Sequence, residues 1–261
     1  MTETVVEPAV TPDPSKLGSH PRGLYTLFFT EMWERFSYYG MRALLVWFMV
    51  DGARGGLGFE DKTATAIYGL YTAAVYLVAL PGGWIADRLI GAQRAVWFGG
   101  IIIASGHFVL AIPTMQAFFL GLVLVVLGTG LLKPNISAIV ADLYPEGGAR
   151  RDAGFTIFYM GINVGAATGP LICSTLGEEL NWHYGFAAAG VGMVLGLIQF
   201  KLNPKHLGNS GLSPVAHTKG ETISPEAHRK HRLALWAGVG AIAILVGMGL
   251  NGAIKFDPIT L

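Results

Sequence analysis

Residues 31–42 read EMWERFSYYGMR and place charged side chains inside a long apolar stretch that begins near position 24. In a helix, which turns by about 100° per residue, the charged residues and one tyrosine fall on a single face. This face consists of Glu31, Glu34, Arg35, Tyr38 and Arg42, with Tyr39 at its edge. The apolar run continues to about position 50 and exceeds the roughly 20 residues that cross a bilayer core. The segment is therefore predicted to be a membrane-spanning helix with one charged face.

The whole sequence has the composition of a membrane protein. Of its 261 residues, 52% are hydrophobic and 13% are charged, whereas soluble domains are about 25% charged. Six stretches are apolar and long enough to cross the lipid bilayer as helices, which pair their backbone groups internally. They lie at about 24–50, 64–86, 94–113, 115–141, 154–176 and 184–202. The predicted fold class is an all-α membrane protein.

The remaining segments divide the chain further. Residues 1–22 are polar and lack the apolar core of a signal peptide, which predicts a disordered cytoplasmic tail. Residues 23–202 form the predicted six-helix transmembrane bundle. Residues 203–232 are rich in His, Ser, Gly and Lys and are predicted to be a cytoplasmic linker, followed by an additional transmembrane helix within residues 233–261.

The distribution of Lys and Arg predicts the orientation of the bundle, because these residues favour the cytoplasmic ends of membrane spans. With the amino terminus in the cytoplasm, the outside loops carry only Arg54, Lys62 and Lys255. The other lysines and arginines near the span ends then lie inside. An odd number of spans would break this pattern, so we expect a multi-pass protein whose amino terminus is cytoplasmic.

Several classes of function are not indicated by the sequence. The net charge is +1 and no basic patch with interleaved aromatics occurs, so no nucleic-acid partner is expected. The single cysteine, Cys173, builds neither a disulfide framework nor a thiolate metal site and is predicted to be a small buried residue. His107, alone in the third span, is predicted to be a hydrogen-bonded structural histidine. Without a metal-ligand cluster, a nucleophile–base pair or a phosphate-binding glycine loop, the sequence does not indicate an enzyme.

The charges at membrane depth are the strongest indication of function. An ionised group there costs from a few to more than about ten kcal/mol, so it must pair or line water. Glu31 and Glu34 lie beside Arg35, and protonation of one carboxylate would change this pairing, as in a proton relay. The alternative is a purely structural ion-pair network that holds helices together.

Other polar residues within the spans suggest a cavity for an anionic ligand. Arg42 has the planar, always-charged fork that suits a substrate carboxylate. Lys133 lies too far from either end of the fourth span to reach water, and it can exchange partners between a substrate carboxylate and an acidic residue. Asn163 in the fifth span either binds a ligand or ties two helices together. The tyrosines of the second span, among them Tyr76, either pack or form a cavity wall.

These residues belong to motifs that resemble the signatures of the proton-dependent oligopeptide transporter family, over roughly residues 24–202. The first-helix motif is Glu31-x-x-Glu34-Arg35-Phe36. Similar matches are Lys133-Pro-Asn on the fourth span and Phe158-Tyr-x-x-Ile-Asn163-x-Gly165 on the fifth. Residues 82–94, GGWIADRLIGAQR, resemble the loop between the second and third helices of the wider major facilitator superfamily. In that superfamily the loop holds the cytoplasmic gate, which implies gating roles for Asp87, Arg88 and Arg94.

The resemblance implies the amino-terminal six-helix bundle of a major facilitator protein plus the start of an inserted helix pair, in the inner membrane of a bacterium. It implies a secondary active transporter that takes up di- and tripeptides, with the proton as coupling ion and no other cofactor. Proton coupling would rest on Glu31, Glu34 and Arg35. The implied substrate-binding residues are Arg35, Tyr38, Tyr39, Arg42, Tyr76, Lys133 and Asn163.

Two departures from the family pattern qualify these expectations. Animal members have a histidine on the second helix where this sequence places Gly69, so proton coupling would rest on the glutamates and on groups elsewhere. The chain also ends at Leu261, before the carboxy-terminal six-helix bundle that would complete the cavity and give Arg42 and Lys133 acidic partners. Two alternatives remain open, namely transport of another small anion such as nitrate and a non-transporting membrane assembly or sensor protein.

Overall fold

The structure is a computed structural model that describes residues 20–212 and, beyond them, single residues and pairs between positions 226 and 248. The predicted tail at 1–22 lies outside the described residues except for positions 20–22. The predicted linker lies outside them from position 213 onward, apart from the scattered positions. The predicted additional transmembrane helix at 233–261, and with it the start of an inserted helix pair, also lies outside the described residues except at scattered positions.

Six long helices form the bundle, which confirms the predicted all-α fold. They are α1 (Arg22–Val50), α2 (Asp61–Ile85), α3 (Ala92–Leu110), α4 (Met115–Asp142), α5 (Gly148–Thr175) and α6 (Trp182–Leu202), followed by a single turn, α7 (Pro204–Leu207). The largest difference from the predicted spans is at the start of α5, which was expected near 154. Hydropathy detects only the apolar part of a helix, whereas polar residues such as Arg150 and Asp152 continue α5 beyond that part.

By length and composition alone, four helices of the described part could cross a membrane, namely Asp61–Ile90, Met115–Asp142, Gly148–Leu180 and Trp182–Leu202. The helix α1 is long enough at 29 residues but carries the charged face described above. The helix α3 is shorter, at 19 residues, and includes Gln93, Arg94 and His107. Both pack within the same bundle as the four more apolar helices.

The six helices form two consecutive three-helix units, and the first helix of each unit packs mainly on the second and third helices of the other. The helix α1 packs mainly on α5 and α6, and α4 packs in the corresponding way on α2 and α3. The third helices of the two units, α3 and α6, pack on each other. Such an arrangement is typical of the inverted three-helix repeats found within each half of major facilitator transporters.

The second helix of each unit ends in the same unusual way. A π-helical turn extends α2 through Ala86–Ile90, and another extends α5 through Leu176–Leu180. The turns are closed by hydrogen bonds from the Gly91 and Asn181 N–H groups to carbonyl oxygens five residues earlier, at 2.9 and 3.0 Å. Both helices continue through a proline before the π turn.

Glycines allow α1 and α5 to approach backbone to backbone. A Cβ atom at Gly165 would lie 2.2 Å from the Met32 carbonyl oxygen, and one at Gly169 would lie 2.3 Å from that of Phe36. A Cβ at Gly82 of α2 would similarly lie 2.0 Å from the carbonyl oxygen of a residue in α4. Small residues permit such close contact where lipid supplies no hydrophobic driving force between helices. The α1–α5 seam therefore fixes the position of α1 and of its charged face.

Two apolar clusters fill the bundle, one towards each end of α1. Leu24 and Leu27 belong to the first cluster, with residues of α3, α4 and α6. The region from Met41 to Met49 belongs to the second cluster, where Phe48 packs against the rings of α4 and α6. The charged residues of α1 lie between these clusters, near the middle of the bundle.

Candidate functional site

Three charged side chains of α1 form a buried ion-pair cluster. The Arg35 Nε donates a hydrogen bond to Glu31 Oε1 at 2.7 Å and lies 2.8 Å from Glu34 Oε2. Only 2% of Glu31, 0% of Glu34 and 4% of Arg35 is exposed. The three residues lie within little more than one turn of helix. Arg35 also adjoins the α5 seam, because a Cβ atom at Gly165 would lie 2.9 Å from Arg35 Cβ.

The charges of this cluster do not balance. Two ionised carboxylates and one guanidinium leave one net negative charge, and protonation of one carboxylate would make the cluster neutral. Among the described residues, Glu31 Oε2, Glu34 Oε1 and Arg35 Nη2 are buried without a hydrogen-bond partner. Because uncompensated charge is costly at this depth, the cluster is suited to take up a proton or to attract a cation.

Arg42 lies two turns further along α1 and contacts the second helix. Its Nε donates a hydrogen bond to the hydroxyl of Tyr68, and its guanidinium carbon lies 5.2 Å from the centre of the Tyr68 ring. Arg42 is partly exposed. It forms no ion pair with an acidic residue in the part of the chain that the structure describes. Its remaining N–H groups are therefore available to another acceptor.

Lys133 projects from α4 towards the same region. Its Nζ lies 4.6 Å from the centre of the Tyr76 ring on α2, and the side chain is partly exposed. Its charge is close enough to Glu34 for an electrostatic interaction between the two. Within residues 20–212 it has no carboxylate partner at salt-bridge distance. Both cations thus contact aromatic rings of α2 and not the carboxyl groups of the α1 cluster.

Tyrosines connect the cluster with the two cations. Tyr38 is buried, its ring centre lies 5.7 Å from the Arg35 guanidinium carbon, and it interacts electrostatically with Arg42. Tyr39 packs edge to face on Tyr38. Asn163 differs from these residues, because its side chain is exposed on α5 and makes no hydrogen bond within the described region. Described contacts and electrostatic interactions therefore connect the other six predicted substrate residues, and none of them involves Asn163.

The three predicted gate residues lie around the turn that joins the end of α2 to the start of α3. Asp87 is exposed in the π turn, Arg88 is partly buried beside it, and Arg94 is exposed in the first turn of α3. Their roles remain predictions from the resemblance.

Sequence reasoning did not select Tyr68, which provides the hydroxyl that binds Arg42. The available signal was its spacing, because Tyr68 precedes Tyr76 by two helical turns and lies near the same face of α2. The expectation for His107 was partly wrong. His107 is fully buried, as expected, but neither ring nitrogen has a hydrogen-bond partner among the described residues. Cys173 is buried as predicted and lies against Gly40 of α1.

A bundle built from two three-helix units is the architecture of one half of a major facilitator transporter. A sequence profile of the POT family, the proton-dependent oligopeptide transporters, matches residues 93–224, which is just over half of the chain. The chain therefore belongs to the POT family, and the predicted family is confirmed.

Individual relatives agree with this assignment. The chain is 50% identical over 229 residues to the uncharacterized transporter YclF of Bacillus subtilis, covering 87% of this chain and 45% of YclF. It is also 50% identical over 184 residues to a di-/tripeptide transporter of Lactococcus lactis, covering 69% of this chain and 37% of that protein. A crystal structure of a peptide transporter POT with sulfate superimposes with a TM-score of 0.82 at 47% identity, covering 92% of this chain and 49% of that one.

These relatives are longer than the chain, which spans about half or less of each of them. The family profile begins at the start of α3, and the solved structure covers 92% of this chain. The family assignment and the apolar helices identify a multi-pass membrane protein.

Proposed function

We propose that this chain provides the amino-terminal half of a proton-coupled symporter of di- and tripeptides, which works by alternating access in the cell inner membrane. The observation that carries the proposal is the buried cluster of Glu31, Glu34 and Arg35, in which two carboxyl groups share one guanidinium. Membership of a family that includes a di-/tripeptide transporter supports the substrate class.

Proton coupling follows from competition for Arg35. With both glutamates ionised, the guanidinium is shared between two carboxylates. A proton on one of them leaves the other as the sole ionic partner and makes the cluster neutral, so no uncompensated charge is then buried. Release of the proton to the cytoplasm restores the shared state. Proton movement and the arrangement of charges around Arg35 are thus linked.

Peptide recognition would use the two cations that lack acidic partners in the described bundle. The carboxylate of a peptide is a suitable acceptor for Arg42 and Lys133, which approach from α1 and α4. Tyr38, Tyr39 and Tyr76 offer aromatic walls and hydroxyl groups for a short peptide, and Asn163 would extend the same wall. The peptide amino group and acidic partners for the cations would come from a carboxy-terminal six-helix bundle.

Transport of another small anion, such as nitrate, is the alternative that uses the same cations. The complete glutamate motif on α1 favours a proton-coupled peptide over nitrate, because a permanent negative cluster at this depth would hinder anion entry unless it is protonated first. A membrane assembly or sensor protein would bind a ligand without moving it across the membrane. An uptake measurement separates these possibilities.

The test is uptake of labelled dialanine into liposomes that contain the complete gene product, with and without an inward proton gradient. We expect gradient-dependent accumulation that excess unlabelled tripeptide blocks and excess nitrate does not. The Glu34→Gln variant should lose the accumulation and retain exchange of labelled for unlabelled dialanine, because it keeps the shape of the side chain but cannot release a proton. The matched control is Glu60→Gln at the exposed start of α2. Absence of uptake by folded wild-type protein would contradict the proposal.

A further inference from the structure

The chain does not leave the bundle where α6 ends. Residues 203–212, here called the strap, turn back across one end of the bundle and include the single turn α7. Leu207 of the strap is only 2% exposed and packs in the apolar cluster that contains Leu24 and Leu27 of α1. The strap also touches the α1 backbone, since a Cβ atom at Gly23 would lie 2.7 Å from the His206 carbonyl oxygen.

A single side chain ties the first turn of α3 to the strap. The Gln93 Nε2 donates hydrogen bonds to the carbonyl oxygens of Ser210 at 2.7 Å and Gly208 at 3.4 Å. The Gln93 backbone N–H donates a third, to the Gly211 carbonyl oxygen at 2.9 Å. Because a loop otherwise offers these carbonyls only to water, the three bonds join two segments that lie far apart in the sequence.

Two glycines with positive φ bring the backbones together at this junction. Gly91, which ends the π turn at φ 80°, lies so close to the strap that a Cβ would be 2.5 Å from the Leu212 carbonyl oxygen. Gly211, at φ 70°, faces α4, where a Cβ would lie 2.8 Å from Ile139 Cγ1. The strap thus fills the space between the α2–α3 turn and α4.

From this geometry we propose that the strap positions the α2–α3 turn, with Gln93 as the positioning residue. The gating part of the inference rests on the proposed function, because the predicted gate residues Asp87, Arg88 and Arg94 flank this turn. Residues of a gate must return to the same place in every transport cycle. The strap holds the turn against α1 and α4, so these residues move with the bundle as one body rather than as part of a free loop.

The strap has no described contact with the Glu31–Arg35 cluster, Arg42 or Lys133. Loosening the strap should therefore alter the rate of the conformational cycle without altering the affinity for peptide. In kinetic terms, the turnover number kcat should fall while KM stays the same. Loss of a residue that only stabilises the fold would not lower kcat selectively at unchanged KM.

The test is a Gln93→Met variant of the complete transporter, since methionine keeps the length of the side chain and cannot donate the two hydrogen bonds. Gln116→Met is the matched control, because Gln116 is exposed at the start of α4, at the other end of the bundle. We expect backbone amide hydrogen exchange at residues 86–94 and 208–212 to become about tenfold faster in Gln93→Met, from the usual strength of such bonds. We expect kcat for dialanine to fall by about threefold or more at unchanged KM.

Unchanged exchange at residues 86–94, or an equal increase over the whole bundle, would overturn the proposal. A change in KM without a change in kcat would also overturn it. Hydrogen exchange does not depend on the substrate, so it tests the strap even if the wild-type protein fails to take up dialanine. In that case the proposed peptide transport is contradicted, and the exchange rates still decide whether the strap positions the turn.

Discussion

Arg42 and Lys133 are each held by a tyrosine of α2, so both cations are positioned before a ligand binds. The Tyr68→Phe variant removes the hydroxyl that binds Arg42 and keeps the ring 5.2 Å from the guanidinium. A hydrogen bond to a charged group contributes about 1.5–3 kcal/mol. Without it the peptide itself must order Arg42, so we expect KM for dialanine to rise about tenfold with little change in kcat. Initial uptake rates measured against dialanine concentration give both quantities.

Tyr71→Phe is the matched control for this prediction, since it makes the same chemical change one turn away on α2. The Tyr71 hydroxyl is buried without a hydrogen-bond partner in the described residues. Its removal should leave KM unchanged and should not lower the unfolding temperature, because no hydrogen bond is lost. Equal KM values for Tyr68→Phe and the wild type would show that Tyr68 does not organise Arg42.

Lys133 supports a second prediction about a single residue. We expect Lys133→Ala to abolish proton-driven uptake of dialanine, because it removes a cation that lies at membrane depth near Glu34. The control is Lys201→Ala, which removes another lysine stacked on an aromatic ring, 5.2 Å from the centre of Trp97, at the exposed end of α6. Lys201→Ala should transport normally. Accumulation at the wild-type level by Lys133→Ala would exclude Lys133 from the transport mechanism.

At the scale of elements, the seam between α1 and α5 decides where the charged face lies. A Cβ at Gly165 would lie 2.2 Å from the Met32 carbonyl oxygen and 2.9 Å from Arg35 Cβ, so Gly165→Ala must push α1 and its ion-pair cluster away from α5. Overpacking of this kind costs about 1–3 kcal/mol, which corresponds to an unfolding temperature lower by about 5 °C. Thermal unfolding of the purified protein in detergent measures the change.

The matched control at this scale is Gly69→Ala on α2. A Cβ there would have no neighbour within 4 Å among the described residues. Alanine favours a helix over glycine by about 1 kcal/mol, so the unfolding temperature should stay the same or rise. If Gly165→Ala were as stable as Gly69→Ala, the two helices would not be in the close contact that the seam requires.

At the scale of the whole molecule, the sequence predicted the number and approximate positions of the six helices, because each needs a long apolar run to cross lipid. It also predicted the charged face of α1, which follows from helical periodicity alone. Contacts between helices were not predicted. The pairing of Arg42 with Tyr68 depends on how α1 packs on α2, and the α1–α5 seam depends on backbone approach at Gly165 and Gly169.

The strap illustrates a second limit of sequence analysis. Residues 203–232 were predicted to be a linker from their polar composition, and nothing in that composition distinguishes residues 203–212 from the remainder. The hydrogen bonds between the strap and α3 use the backbone carbonyl oxygens of Gly208, Ser210 and Gly211. Every residue carries such a carbonyl group, so an interaction of this kind leaves no pattern in the sequence. Gln93, which makes the contacts, resembles any polar residue at the start of a helix.

The orientation of the whole bundle in the membrane is a further prediction, carried by the positive charges at the helix ends. Arg88 and Arg94 flank the α2–α3 turn and Arg150 follows the α4–α5 turn, while the α1–α2 loop and its neighbouring helix ends carry Arg54 and Lys62. Because lysine and arginine favour the cytoplasmic side, alkaline phosphatase fused in the α1–α2 or α3–α4 loop should be active. The same enzyme fused in the α2–α3 or α4–α5 turn should be inactive, and green fluorescent protein at those positions should fluoresce. The reverse result would place the strap and the predicted gate outside the cell, where neither could act as a cytoplasmic gate.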